Sequence, residues 1–296
     1  MAISLFQKQI LATVAYSAQF NFPLTAEEIW VRLMKVKGQN KSDKSSLNTE
    51  LFDLVKKKIL IKEGIYFYPH FVEIDLVSLR YERGVSSQQI LEESLEVVKL
   101  VKLVKENSYI RGLAVTGSVA VGNASDDEDL DIMVITAPGT LWLVRIWLLW
   151  QRWRLGKRKG AHNWCLNVWL EQDSLEIEPK KRSIYMAYEV VQAKWIYDLE
   201  YIENKWLAEN AWIKEFLPNL FISEKVDQNS TKQTKMSLIF RLLNLVCYYI
   251  QIWYLRIKLR IPEENLKKEQ AFLHRNESQD KILSNFLLFW TRMLKI

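Results

Sequence analysis

Two short apolar runs, separated by a polar stretch rich in acids, constrain the fold of this chain more than any other feature. The first run, residues 113–115, leads into Gly117 and Ser118, and the second follows Asp129 and contains Asp131. Because residues i and i+2 of a strand point to the same face, the two aspartates are expected side by side at one end of a sheet. The pattern therefore predicts a sheet that carries two carboxylates.

Two carboxylates at this spacing suit a hard divalent cation. Mg²⁺ (or Mn²⁺) binds through one or two carboxylates together with substrate phosphates. Gly117 lets the backbone approach a phosphate closely, and the amides that follow it can bind phosphate oxygens. A phosphate site beside a metal site predicts nucleotidyl transfer with an NTP as substrate. The alternative is that these residues only form an ordinary turn and the acidic start of a strand. The two motifs together, at this spacing, favour the nucleotidyl-transfer site over that alternative.

The same residues resemble the catalytic signature of the DNA polymerase β-like nucleotidyltransferase superfamily, an apolar strand with Gly-Ser followed by Asp-apolar-Asp on a second strand. The form here is most similar to the minimal nucleotidyltransferase branch, over residues 109–178. The resemblance implies that Asp129 and Asp131 are catalytic metal ligands. It also implies that the nucleotide is bound by Gly117, Ser118 and Gly122. A hydroxyl of a small molecule, an RNA or a protein would be the acceptor.

The superfamily usually has a third acidic residue on a neighbouring strand, and here that residue is not evident. Strict alternation predicts that Cys165, Asn167 and Trp169 share one face of the next strand. Asn167 is expected at the nucleotide, but its neutral amide cannot act as a base. Glu176, on a predicted return strand, is the candidate third catalytic residue, and Glu171 is an alternative. A weak or inactive nucleotidyltransferase-fold regulator, binding nucleotide and DNA or a protein partner, is therefore the second hypothesis.

A helix over residues 141–155 is predicted after the acidic strand, and basic residues follow it directly. This helix is apolar almost all round, so we expect other parts of the protein to cover it. Lys157 and Arg158 are candidate contacts for the triphosphate or for a polynucleotide. A solvated turn that interacts favourably with the helix dipole is an equal alternative.

Residues 1–80 are predicted to form a separate small domain. Three helices and a hairpin with its turn at Glu63-Gly64 resemble a winged helix-turn-helix. Thr25 and Glu28 have the spacing of a capping box at the start of the second helix. Lysines at 56–58 permit DNA binding, but acids on the same helix and the absence of a basic wing disfavour it.

Residues 86–182 are predicted as the nucleotidyltransferase core, a mixed sheet with flanking helices, and residues 183–296 as a C-terminal helical bundle. The fold class is thus α+β. The uncharged stretch 242–255 is too short to cross a bilayer of roughly 30 Å. We interpret it as a helix buried in the bundle, with a helix on a membrane surface as the alternative. No transmembrane segment is expected. A homodimer is compatible with the sequence, because apolar helices without an evident partner could pack against a second copy.

The composition is consistent with a folded protein of two or three domains. Of its 296 residues 49% are hydrophobic, which argues against global disorder. The net charge of +6 permits attraction to nucleic acid without requiring it. Cys165 and Cys247 form no metal-ligand pattern and are expected to be free thiols, as in a cytoplasmic protein. The N-terminus lacks the pattern of a signal peptide.

Overall fold

The computed structural model describes residues 3–36, 38, 42–93, 102, 104–126, 128–155, 164–220, 237–273 and 277–295. Within these residues the chain is a mixed α+β protein with a three-stranded sheet near the N-terminus and a five-stranded sheet in the centre. The predicted α+β class and the predicted mixed sheet with flanking helices are confirmed.

An N-terminal module combines helices with the smaller sheet. Its elements in chain order are α1 (Leu5–Ala18), β1 (Leu24–Thr25), α2 (Ala26–Val31), α3 (Leu47–Lys56), β2 (Leu60–Glu63) and β3 (Tyr66–Pro69). The strand order is β1-β3-β2, and both pairings are antiparallel. Ile10, Leu24 and Leu51 are fully buried and belong to a hydrophobic core that also includes Met133 and Tyr188.

Local hydrogen bonds explain two boundaries in this module. The Thr25 hydroxyl accepts from the Glu28 amide (3.2 Å), and the Glu28 carboxylate accepts from the Thr25 amide (2.9 Å), which confirms the predicted capping box. The predicted hairpin turn is wrong by one residue: Glu63 still pairs with Tyr66, and the turn is Gly64-Ile65. Gly64 has a φ of +58°, which glycine adopts without steric cost.

The rest of the chain builds the central sheet and its flanking helices. The elements are α4 (Leu76–Glu93), β4 (Ile110–Val115), α5 (Gly117–Val121), β5 (Leu130–Thr136), α6 (Leu141–Leu155), β6 (Trp164–Glu171), α7 (Ile184–Gln192), β7 (Lys194–Asp198), α8 (Ile202–Glu209), α9 (Leu238–Lys258), β8 (Gln270–Phe272) and α10 (Glu277–Leu294). The strand order is β7-β4-β5-β6-β8. Only β5 and β6 pair in parallel, and α6 connects them.

The C-terminal region, predicted as a helical bundle, contains helices and also two strands, β7 and β8, which belong to the central sheet. They pair with β4 and β6, which would otherwise be edge strands with unpaired backbone groups. The predicted boundary between 182 and 183 therefore cuts through this sheet. With three residues, β8 is too short to produce a periodic signal, and its sheet position depends on long-range pairing.

Apolar side chains fill both faces of the central sheet. Ile132 and Val134 of β5 pack in the core beneath α6, and Met133 and Ile135 pack in the core that contains α7. Strands buried on both faces are almost continuously apolar, as β5 is. The second core continues into the N-terminal module, and Tyr16 of α1 stacks on Tyr188 of α7 with ring centroids 4.1 Å apart.

The helix α9 is not buried as predicted. Its buried residues are Asn244, Gln251 and Leu255, whereas most of its large apolar side chains are exposed. Asn244 Oδ1 accepts from the Trp142 and Leu143 amides of α6 (2.9 and 3.0 Å), so a polar side chain makes the inward contact. Among the described helices, α9 alone has the length and hydropathy of a membrane span, and one such helix is weak support for a span.

Candidate functional site

The two predicted carboxylates lie together at the start of β5. Asp129 directly precedes the strand and Asp131 is its second residue. Cys165 Sγ donates to Asp129 Oδ2 (3.4 Å), and Asn167 Nδ2 donates to Asp131 Oδ1. Cys165 and Asn167 both belong to β6, so the neighbouring parallel strand holds both carboxylates at one end of the sheet.

The Gly117 bend lies directly against Asp131 of this pair. The amide of Thr116 donates to the Asp131 carbonyl (2.9 Å) where β4 ends. Gly117 has a φ of +69°, and a Cβ built on it would lie only 2.8 Å from Asp131 Oδ2. Gly122 closes the short helix α5 at a φ of +74°, and its amide donates to the Ser118 carbonyl. Glycine at 117 therefore lets backbone and carboxylate meet, whereas Gly122 shapes the turn.

Substitution of Gly117 by alanine should destabilise the protein more than the same substitution at Gly122. Both positions impose a left-handed backbone, which costs an alanine about 1 kcal/mol. Only at Gly117 must Asp131 also move, because a Cβ at Gly122 meets no atom within 4 Å. We expect Gly117→Ala to lose roughly 1 kcal/mol more than Gly122→Ala in urea unfolding. Equal losses would contradict the described contact.

The Ser118 hydroxyl has a carboxylate partner that the sequence pattern does not reveal. It donates to Glu128 Oε2, and Glu128 Oε1 accepts from the amide and the hydroxyl of Ser125 (3.3 and 3.1 Å). Asp126 in the same loop accepts from Ser86 of α4. Glu128 thus brings a further negative charge to the edge of the site. Asp126 and Glu128 both accept hydrogen bonds from serine side chains, so they are not simply solvated.

Three acidic side chains, Asp129, Asp131 and Glu128, act on one another electrostatically at the site. Burial, followed by the charges of Asp129 and Glu128, raises the pKa of Asp131 to about 6. In the part of the chain that the structure describes, no lysine or arginine forms an ion pair with Asp129 or Asp131. A cation placed between two such carboxylates removes their repulsion, so the donor chemistry fits Mg²⁺ or Mn²⁺.

The described side chains do not complete a metal site by themselves. Within those residues, no group of three or more His, Cys, Asp or Glu side chains is arranged to hold a metal ion. Mg²⁺ in proteins commonly uses one or two carboxylates and takes its other oxygens from phosphates and water. The pair formed by Asp129 and Asp131 is therefore sufficient only for a metal that arrives with its substrate.

Asn167 occupies the position beside Asp131 because β6 contains a bulge. Ile132 pairs with Leu166, but Met133 pairs with Val168, which leaves Asn167 as the extra residue. The predicted alternation is consequently wrong beyond this point. Trp169 is buried in the core on the α6 side, opposite the face on which Asn167 reaches Asp131. Bulges reorient a single side chain in this way and are frequent near functional sites.

The other predicted site residues have different outcomes. Glu176 does not join the pair: its side chain is mostly exposed and forms an ion pair with Arg182, and the predicted return strand is an irregular segment. Lys157 and Arg158 lie outside the described residues. Arg152, near the end of α6, is close enough to lower the pKa of the Cys165 thiol, although burial and Asp129 raise that pKa to about 11.

Glu171 lies at the far end of β6 and has a structural role. Its Oε1 accepts from the Thr140 and Leu141 amides (3.0 and 3.3 Å), which caps α6. Burial, helped by the charges of Asp173 and Glu269, raises its pKa to about 7, and hydrogen bonds from the backbone at Gly139 and Leu141 only partly oppose this rise. Glu171 is therefore an unusually basic carboxylate that is remote from Asp131.

Replacing Glu171 with glutamine should flatten the dependence of stability on pH. A folded-state pKa above the unfolded value of 4.5 means that the carboxyl stabilises the protein below pH 4.5 and loses this contribution as the pH rises through about 7. We expect Glu171→Gln to gain on the order of 1–2 kcal/mol over the native protein at pH 8 and little at pH 4.5. Urea unfolding at both values measures the difference, and an equal effect at both would contradict it.

Sequence reasoning missed two residues on α7, Tyr185 and Glu189. Burial raises the pKa of Glu189 to about 7, and the charge of Asp131 contributes to that rise. Both side chains line a cavity of about 330 Å³ that also contacts Thr116, Met133 and other residues of the sheet face. Both also line a second cavity, of about 190 Å³, together with Gly117 and Ser118. The amphipathic pattern of α7 carries no signal that distinguishes a site carboxylate from a surface one.

Comparisons with known proteins identify no relative of this chain. No family model, no curated protein and no solved structure matches the chain. The chemistry of the site therefore has to be inferred from its own groups: a pair of carboxylates, a close backbone bend, an amide, a hydroxyl and a further carboxylate across a cavity.

Proposed function

We propose that this protein is a Mg²⁺-dependent nucleotidyltransferase, which moves an NMP from an NTP to a hydroxyl acceptor. One observation carries this proposal: the bend at Gly117 touches Asp131, whose second oxygen lies 2.8 Å from where a Cβ would stand. The bend and the carboxylates are ten or more residues apart in the sequence, and the fold brings them into contact. This juxtaposition supports a phosphate beside a carboxylate-bound metal.

The described contacts suggest a role for each side chain. Asp129 and Asp131 would hold the metal, which would supply positive charge against the negative charge of the triphosphate. Asn167 donates to Asp131 Oδ1 and so leaves Oδ2 facing the bend. The Ser118 hydroxyl, which donates to Glu128, would instead donate its hydrogen bond to a phosphate oxygen. Catalysis would depend on positioning and on charge neutralisation.

Glu189 is the residue that we propose as general base in place of a third strand carboxylate. It borders both cavities beside the site, and its pKa of about 7 matches a base that works near neutral pH. It would accept the proton of the acceptor hydroxyl as the new oxygen–phosphorus bond forms. The bond from the α-phosphorus to the bridging oxygen would break in line, and pyrophosphate would leave.

The larger cavity is the proposed place for the nucleoside or the acceptor. Its volume of about 330 Å³ falls in the range of small-molecule sites, and its lining mixes apolar and polar groups. Lys181 lies over the ring of Phe272 (4.6 Å), and burial lowers the pKa of Lys181 to about 8. A cation and an aromatic ring in one wall suit a ligand that is both anionic and aromatic.

A nucleotide titration followed by a transfer assay tests this proposal. The purified full chain should bind at least one NTP in the presence of Mg²⁺ and lose that binding in EDTA. With labelled NTP, label should then appear on the chain itself, on RNA or on a hydroxyl compound from a panel. Failure of all four common NTPs to bind with either Mg²⁺ or Mn²⁺ would overturn the proposal.

DNA binding by the N-terminal module is possible but is not the proposal that its described contacts favour. Its three helices and hairpin support the winged-helix interpretation, in which basic side chains would meet phosphate. However, Lys57 pairs with Asp53 (2.6 Å) and Lys44, just before the third helix, pairs with Glu27 (2.8 Å), so acids already engage two of the module's lysines. A structural or protein-binding module remains the favoured proposal.

A weak or inactive nucleotide-binding regulator is the second candidate, and Asn167 favours it. An amide stands beside Asp131 where the superfamily would have an acid, and it contributes no negative charge to the metal. Nucleotide binding that requires Mg²⁺, without transfer to any acceptor in the panel, would support this candidate over the enzyme.

A further inference from the structure

We propose that the outward surface of α6 and α9 binds an anionic membrane surface, independently of the nucleotidyltransferase proposal. This outer face is defined by exposed large apolar residues of both helices, among them Trp150 and Trp153 of α6 and Leu242, Tyr249, Ile250 and Trp253 of α9. Trp153 is 78% exposed and Trp253 is 63% exposed. Apolar patches of this extent mark interaction sites.

The polarity of α9 is inverted relative to a helix on a water-soluble protein. Asn244 and Gln251 point inward, where Gln251 accepts from Arg145 (2.6 Å) and donates to the Trp142 carbonyl (2.9 Å). These bonds satisfy the polar groups on the protein side, so the apolar side chains are left to face outward. A helix in contact with water would have the opposite pattern, and contact with lipid explains the observed one.

The charge around the outer face identifies an anionic partner. Neither α6 nor α9 contains an aspartate or a glutamate. The last turn of α6 carries Arg152 and Arg154, and the last turn of α9 carries Arg256 and Lys258. Arg256 pairs with Glu263 (2.9 Å), so the other three are the basic residues of these helix ends that we expect at lipid headgroups.

The basic residues of these helix ends favour lipid headgroups over a second copy of the chain. Each lysine or arginine near an anionic bilayer contributes about 1 kcal/mol to binding. A two-fold dimer through this face would bring together two helix pairs that carry basic residues and no acids. Tryptophan and tyrosine side chains, frequent on the outer face, favour the boundary between headgroups and acyl chains.

The contacts of α9 indicate that it lies along the membrane rather than across it. Both of its buried polar side chains bond to α6. Leu141, Trp142 and Leu148 of α6 are in turn buried against the central sheet. A span would have to break these contacts, whereas an interfacial helix keeps them and inserts only its apolar face.

Vesicle flotation of the full chain tests the proposal. The protein should float with phosphatidylcholine vesicles that contain an anionic lipid such as phosphatidylglycerol, and at least about tenfold less with vesicles of phosphatidylcholine alone. High salt should weaken the binding, since the headgroup attraction is screened. Equal binding to both vesicle types, or none to either, would overturn the proposal.

Variants on the outer face distinguish binding to a membrane from binding to a second copy of the chain. The double variant Ile250→Gln/Trp253→Gln should reduce binding to anionic vesicles at least about tenfold, because two inserted apolar side chains are lost. Tyr81→Gln is the matched control, since Tyr81 is 75% exposed on α4 and lies outside the outer face. An unchanged thermal unfolding midpoint confirms that both variants fold.

Sedimentation velocity without vesicles provides the opposing outcome. A native protein that is dimeric, a double variant that is monomeric and no flotation of either would assign the outer face to a second copy and overturn the proposal. A monomeric native protein that floats only with anionic vesicles supports the membrane.

Discussion

Asp131→Asn should lower the rate of nucleotidyl transfer at least about 10²-fold and weaken the Mg²⁺-dependent binding of NTP. The asparagine keeps the size of the side chain but removes the negative charge that would hold the metal. The asparagine also faces the Asn167 amide, which in the native protein donates to the Asp131 carboxylate. Transfer of labelled nucleotide and a calorimetric titration with Mg²⁺ and NTP measure the two effects.

The same variant should be at least as stable as the native protein. The pKa of Asp131 is raised to about 6, from a usual value of 3.8, by burial and by Asp129 and Glu128. Its contribution to stability is therefore present below pH 3.8 and is lost as the pH rises through about 6. Above that pH the neutral asparagine avoids the repulsion. A loss of activity without a loss of stability would distinguish a functional carboxylate from a structural one.

Glu176→Gln is the matched control for this experiment. Glu176 was the predicted third catalytic residue, but its ion pair with Arg182 lies on an exposed segment. A surface pair of this kind contributes at most about 1 kcal/mol. We expect native transfer rates from Glu176→Gln. If this variant lost activity while Asp131→Asn kept it, the site would be wrongly assigned.

Local patterns in the sequence predicted the parts of the site that depend on neighbouring residues. The spacing of Asp129 and Asp131 placed both at one strand end, and the bend at Gly117 was predicted next to them. The capping box of Thr25 and Glu28 and the helix over residues 141–155 were also predicted. In each case backbone sterics or hydrogen bonds between residues a few positions apart determine the structure.

The features that the sequence did not reveal depend on long-range packing. The bulge at Asn167 arises from the register between two strands, and one extra residue reverses the alternation beyond it. Glu189 reaches the site only because α7 packs on the sheet face that carries Met133. The outward apolar face of α9 was predicted as buried because periodicity cannot indicate whether the apolar side of a helix meets protein or lipid.

Glu189→Gln should lower the transfer rate about 10²-fold or more while NTP binding with Mg²⁺ is retained. In the native protein the rate should rise with pH through about 7, because the carboxylate must be ionised to accept the proton of the acceptor hydroxyl. The glutamine variant cannot accept a proton, so its residual rate should not follow this titration. Steady-state rates between pH 5.5 and 8.5 test the profile, a range chosen as roughly 1.5 units on either side of 7.

Glu171→Gln serves as the control for this pH profile. Glu171 also has a pKa raised to about 7, but it caps α6 at the opposite end of β6 from Asn167. If ionisation of Glu171 rather than of Glu189 produced the rise of rate with pH, Glu171→Gln would flatten the profile. We expect this control to keep the native rise of rate with pH. A Glu189→Gln protein with the native rate and profile would exclude Glu189 as the base and leave the pair of aspartates to act with water alone.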